Sequence, residues 1–140
     1  GEKYLNQYFG TIKNSLNHNG TAAIQGIVIK EDLFERYRGN EDFIQKYIFP
    51  GGFLPSLNFM KHLMIKNKLN FEKINTYSDD YAKTLGTWRK NFFNAWETIK
   101  IQGFDDYFKR MWEFYLSYCE AGFKSKNINL IQFSMSNKQF

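Results

Sequence analysis

Apolar residues recur every three or four positions near the start of the chain, at Tyr4, Leu5, Tyr8, Phe9, Ile12 and Leu16. That spacing lays one buried stripe along a helix and predicts a helix over 3–17. His18-Asn19-Gly20 supplies the turn that stops it. Residues 21–29, TAAIQGIVI, are β-branched and almost continuously apolar, as in a strand buried on both faces. Positions 30–67 read as mostly helical, interrupted by Phe49-Pro50-Gly51-Gly52 and by Pro55; Ser56 is suited to cap the helix that follows. Alternation returns at 69–77 (LNFEKINTY), the pattern of a half-exposed strand. Asp79 and Asp80 open another helix, with a stripe through Tyr81, Leu85, Trp88, Phe92 and Trp96. Gly103 separates it from a helix over 104–124, and 128–136 (INLIQFSMS) alternates as a closing strand. Three strands separated by long helical stretches imply a layered α/β structure in one domain. A helix ahead of the first strand is half of a βαβ unit, and residue 1 is not Met, so a longer parent protein is expected.

Composition sharpens this picture at one point. Aromatic residues make up 19% of the 140 positions, with 15 Phe, 9 Tyr and 3 Trp, more than a core of this size ordinarily needs. The excess points to a very dense core or to a pocket for a large apolar ligand. The formal net charge of +5 favours an anionic partner, either nucleic acid or a membrane surface. The aromatics follow helical core stripes and are not interleaved with Lys or Arg on a strand, which argues against nucleic acid. Cys119 is the single cysteine, so no disulfide framework is possible within the chain, consistent with a reducing, cytoplasmic setting. No apolar run approaches the roughly 20 residues that cross a bilayer, so membrane contact would be peripheral.

Standard catalytic motifs are missing: the chain has no GxGxxG, P-loop, HExxH or CxxC. His18 and His62 have no second ligand at metal spacing, and no metal is expected. Tyr115, Cys119 and Phe123 stand at i, i+4 and i+8 on one helix face, with Phe108 and Trp112 close by. This stripe is either core packing or the wall of an apolar channel, and in both cases Cys119 serves as a small hydrophobe. Gly51-Gly52-Phe53-Leu54-Pro55 allows a tight turn that presents apolar side chains at a loop tip.

Three strings are together more specific than any of these features: DFIQKYIFPGGFLPS (42–56), DDYAKTLGTW (79–88) and FKRMWEFYLSYCEAGF (108–123). In order and spacing they resemble the cyclopropane-fatty-acyl-phospholipid synthases, and the resemblance runs from the first helix to the last strand. It implies the C-terminal half of a Rossmann-like class I methyltransferase fold, three strands of a mixed sheet plus helices. Residues 21–29, 69–77 and 128–136 would be its fifth, sixth and seventh strands, the seventh antiparallel and slotted between the other two. The N-terminal half, with the S-adenosylmethionine-binding glycine loop, would lie upstream of residue 1, leaving this piece inactive alone.

The resemblance further implies attack by a cis alkene on the sulfonium methyl group, with bicarbonate removing a proton so that a ring closes. Tyr81 matches the tyrosine that hydrogen-bonds bicarbonate, and Ile27 the position whose backbone contacts it. Gln25 stands where many members carry a bicarbonate-holding histidine, though its amide can still donate. Tyr115, Cys119 and Phe123 match acyl-channel positions, with Phe49, Phe53 and Leu54 as neighbours from the loop. The implied partners are unsaturated phospholipid acyl chains and the inner face of a bacterial membrane. An incomplete sheet with an open edge would also favour a homodimer. Methylation without ring closure, and a non-catalytic lipid-binding module, are the alternative readings on the same scaffold.

Overall fold

The structure, a computed structural model, describes residues 1–137. Its elements in order are α1 (Glu2–Ser15), β1 (Thr21–Ile29), α2 (Glu31–Arg38), a π-helical turn (Ile44–Ile48), α3 (Leu57–Lys66), β2 (Asn70–Thr76), α4 (Ser78–Asn94), α5 (Trp96–Ile101), α6 (Asp106–Lys124) and β3 (Ile128–Ser136). The strands form one sheet in the order β1-β3-β2, with β3 antiparallel to both neighbours. The register runs from Thr21 opposite Ser136 to Ile29 opposite Ile128. On the other side a bulge between Phe71 and Lys73 interrupts the pairing. The extra residue, Glu72, accepts a hydrogen bond from the fully buried Ser136 hydroxyl.

Strand alternation divides the core between the two faces. From β3, Ile131, Phe133 and Met135 point to one face, where they meet Phe9 of α1 and Met60, Leu63 and Met64 of α3. Ile128 and Leu130 point to the other, against Ala82, Leu85 and Phe92 of α4 and Leu116 and Phe123 of α6. The result is a helix–sheet–helix sandwich in which β3, covered on both sides, is the central strand. Two caps fix helix starts: the Ser56 hydroxyl accepts from Phe59 N at 3.2 Å, and Asp105 accepts from Phe108 N at 2.8 Å. Ser56 Oγ also donates to Glu31 Oε1 at 3.0 Å, tying α3 to α2.

Three expectations from the pattern need correcting. In β1, Thr21, Ala23 and Gln25 are exposed, because the α4–α6 layer covers only its Ile27–Ile29 end. The long aromatic stripe is not one helix: α4 ends at Asn94, and Trp96 starts α5 after Ala95. Trp88 on that stripe is 47% exposed, its ring edge-on to Tyr81 at 6.1 Å, since no described element covers that side of α4.

Candidate functional site

At the C-terminal end of β1 the layers part around an apolar pocket of about 420 Å³. β1 contributes Ile27 and Ile29, α2 contributes Leu33 and Tyr37, α4 contributes Tyr81 and Leu85, and α6 contributes Tyr115, Tyr118 and Cys119. The 42–54 segment, including Asp42, Gln45, Phe49, Phe53 and Leu54, supplies most of the remaining wall, and Asn127 and Ile128 at the start of β3 complete it.

That segment is shaped by its glycines. Gly52 N donates to Phe49 O at 2.8 Å, closing a turn in which Pro50 takes the second position and Gly51, at φ +78°, the third. This is the order a type II turn requires. A Cβ on Gly52 would come within 2.9 Å of Phe49 O, so a side chain is excluded there as well. The turn sets Phe49 and Phe53 on opposite arms. Phe49 lies 6.1 Å from the Tyr115 ring, while Phe53 packs edge-on against Phe34 and Phe59 at 5.9 and 6.2 Å. Tyr37 OH accepts from Leu54 N at 3.1 Å, and Gln45 Nε2 donates to Gly52 O at 3.1 Å.

Asp42 and Gln45 bond reciprocally, Gln45 N to Asp42 Oδ1 and Asp42 N to Gln45 Oε1, both at 2.9 Å, as a capping box does. The other Asp42 oxygen accepts from Tyr118 OH at 3.4 Å. A carboxylate thus sits at the edge of an otherwise apolar chamber. Beyond it a more open groove, lined in part by Arg36 and Asn40, shares Tyr37, Asp42, Tyr118 and Asn127 with the pocket.

Burial disfavours the charged form of four groups in the wall, Cys119, Tyr37, Tyr115 and Tyr118. Burial, then the nearby Asp42 charge, pushes the Cys119 thiol up to about 11. Burial also raises the Tyr115 and Tyr118 hydroxyls, with Asp42 adding to the effect at Tyr118. Tyr37 is raised by burial despite its bond from Leu54 N. Cys119 is therefore a wall and not a thiolate nucleophile at neutral pH.

Behind the pocket, Glu120 clamps α6 to α4. Its carboxylate accepts from Lys124 Nζ at 2.6 Å and from Arg89 at 2.9 Å, and these contacts hold its pKa below the ordinary carboxylate value against the opposing effect of burial. Ser78 Oγ donates to Ile128 O at 3.1 Å, pinning the start of α4 to β3 one turn before Tyr81.

Of the residues singled out in the sequence, Ile27, Phe49, Phe53, Leu54, Tyr81, Tyr115 and Cys119 converge on this one pocket. Phe123 lies beneath it, 1% exposed, its ring 4.8 Å from Tyr81. Gln25 is on the same strand face as Ile27 but outside the lining; it is exposed, and its Oε1 accepts from Gln132 Nε2 at 3.0 Å. Sequence reasoning missed Tyr37, Asp42, Gln45 and Tyr118. A signal existed for two of them, since an Asp followed three positions later by Gln is a capping box.

Residues 1–133 match the family model of mycolic acid cyclopropane synthetase. The chain belongs to that family. It is 35% identical over 130 residues to a tuberculostearic acid methyltransferase of Mycobacterium tuberculosis, which covers 92% of this chain and 30% of the relative. Identity to the cyclopropane-fatty-acyl-phospholipid synthase of Escherichia coli is 31% over 135 residues, 94% of this chain and 33% of that one. The chain therefore spans about a third of the length of these curated relatives. Among solved structures, the cyclopropane synthase MmaA2 from Mycobacterium tuberculosis superposes with a TM-score of 0.84 at 21% identity over 97% of this chain and 50% of its own. The mycolic acid cyclopropane synthase CmaA1 complexed with SAH and CTAB gives 0.85 at 21%, with the same coverage. The fold is the C-terminal half of a Rossmann-like class I methyltransferase. No described helix is long and apolar enough to cross a membrane.

Proposed function

We propose that the full protein is an S-adenosylmethionine-dependent lipid methyltransferase that adds a methylene across a cis double bond of a phospholipid acyl chain. The observation that carries this reading is the pocket itself. A chamber of about 420 Å³ is walled largely by aliphatic and aromatic side chains, with the Cys119 thiol and the Tyr115 hydroxyl raised by burial and the Asp42 carboxylate at its edge. Such a chamber suits an alkyl chain, and a cation developing on that chain would be kept from water. S-adenosylmethionine, held by the N-terminal half, supplies an electrophilic methyl group. Tyr81, Tyr115 and Phe49 would present aromatic faces to the positive charge that follows alkene attack.

Ring closure needs a base to take one proton from the transferred methyl group. Bicarbonate in this role would be held by the Tyr81 hydroxyl and the Ile27 backbone, two groups that share the pocket wall. The Gln25 amide, two positions along the same strand face, would be a third donor once released from Gln132. A second reading, methyl transfer without ring closure, is favoured by the position of Gln25 outside the lining, which weakens the hold on the base. The 35% identity to a protein named as a methyltransferase and not a synthase points the same way. Isotopically labelled S-adenosylmethionine and monounsaturated phospholipid, followed by mass spectrometry of the acyl product, distinguish a ring from a methyl branch. Absence of label in lipid would overturn both readings.

A further inference from the structure

Beside the pocket, Phe43, Tyr47 and Phe114 form an aromatic group that belongs to neither buried core nor the pocket lining. Phe43 meets Tyr47 at 5.3 Å and Phe114 at 4.6 Å between ring centroids, and Phe114 stacks on Tyr118 at 5.8 Å. Tyr47 is 49% exposed and Phe114 51%, so two ring faces on adjoining elements stand in water together. A contiguous exposed aromatic patch is costly in water and marks an interaction surface. Its position names the partner. Tyr118 belongs to both the patch and the pocket wall, and Phe49, 56% exposed, is also a lining residue. The patch is therefore one lip of the pocket. Lys46, exposed and lying over the Tyr47 ring at 5.4 Å, adds a cation to the same lip, where the Asp42 carboxylate is engaged by Tyr118 OH.

We propose that this lip is the surface by which the protein docks on a phospholipid bilayer. Tyr and Phe rings enter the interfacial layer, with Lys46 at the headgroups, and an acyl chain passes from the membrane directly into the pocket. Aromatic rings with a polar edge favour that layer, and a lysine beside them gains from anionic lipid. The proposal rests on the acyl-chain reading of the pocket and specifies where the chain enters.

The test uses the full-length protein carrying Tyr47→Ser and Phe114→Ser together, two substitutions at exposed residues that do not line the pocket. Co-sedimentation with vesicles of phosphatidylcholine and phosphatidylglycerol is compared with methyl transfer to a short-chain unsaturated lipid kept below its micelle concentration. The expected result is vesicle affinity lowered at least about tenfold, from the lost burial of two rings, with transfer to the monomeric lipid unchanged. Unchanged vesicle binding would overturn the proposal, as would an unsubstituted protein that does not bind vesicles. Loss of both activities together with the circular dichroism of the fold would also overturn it, showing the rings to be packed inside the full protein. If the substitutions abolish vesicle binding while neither protein transfers methyl groups to any lipid, the docking surface stands and the catalytic reading fails.

Discussion

Tyr81→Phe separates the two roles assigned to one side chain. The ring is structural: its centroid lies 4.8 Å from Phe123, which is 1% exposed, and 6.1 Å from Trp88, both in edge-on contact. Phenylalanine keeps those contacts. Among the described residues the Tyr81 hydroxyl makes no hydrogen bond, so its removal breaks none within them. Stability in urea should then stay within about 0.5 kcal/mol of the unsubstituted protein. The proposed chemical role depends on the hydroxyl alone. Deleting one donor to an anion in a water-excluded site lowers turnover by about 10²-fold. The assay is a urea midpoint paired with the rate of label transfer into lipid, both on full-length protein. Unchanged transfer would refute the assignment of Tyr81 to the base. A stability loss above about 2 kcal/mol, with activity falling in step with the folded fraction, would refute the separation of roles.

Phe123→Ala, by contrast, removes a ring buried beneath the pocket and should cost about 3–5 kcal/mol in denaturant unfolding, with Tyr81 losing its backing. Cys119, with its thiol raised to about 11, should be alkylated by iodoacetamide at pH 8 about a hundredfold more slowly than an unperturbed thiol, the ratio of their thiolate fractions. A rate equal to that of free cysteine would show the pocket wall to be open to water. Glu120→Gln removes the carboxylate that joins Arg89 and Lys124, whose side chains are 39% and 65% exposed, and about 1 kcal/mol of stability at neutral pH is expected to go with it. Because the folded-state pKa of Glu120 is lowered, its contribution is present above the ordinary carboxylate value and lost as pH falls through the lowered one. Thermal melts of the two proteins should therefore converge on acidification, and a gap that persists at pH 2–3 would contradict the assignment.

The sequence pattern carried the sheet and helices because each had its own local signal. Residues 21–29 and 128–136 are bounded by turn residues and coincide with β1 and β3, and Ser56 caps α3 as its type and position implied. The break at Ala95 had no such mark, since neither Gly nor Pro stands there and the aromatic stripe continues in phase into Trp96. Burial of β1 was misjudged for a different reason. Composition records that TAAIQGIVI can be buried, while the reach of the α4–α6 layer decides which end is. For the pocket, three uncommon strings held six of the wall residues singled out, and the resemblance they carry added Ile27, yet Asp42 and Tyr118 belong to it only because the 42–54 turn folds back against α6. Such a contact, 76 residues apart in the chain, leaves no periodic trace.

In the proposed reaction this pocket holds an unsaturated acyl chain for methylene transfer. Incubating the full-length protein with methyl-labelled S-adenosylmethionine and monounsaturated phospholipid vesicles, then resolving the acyl products by mass spectrometry, tests it most directly. Label within a cyclopropane ring on the former double bond is expected, with less of that product when Cys119→Phe narrows the chamber. Label confined to a methyl branch would replace ring closure by simple methylation, and the absence of label from lipid would contradict the account.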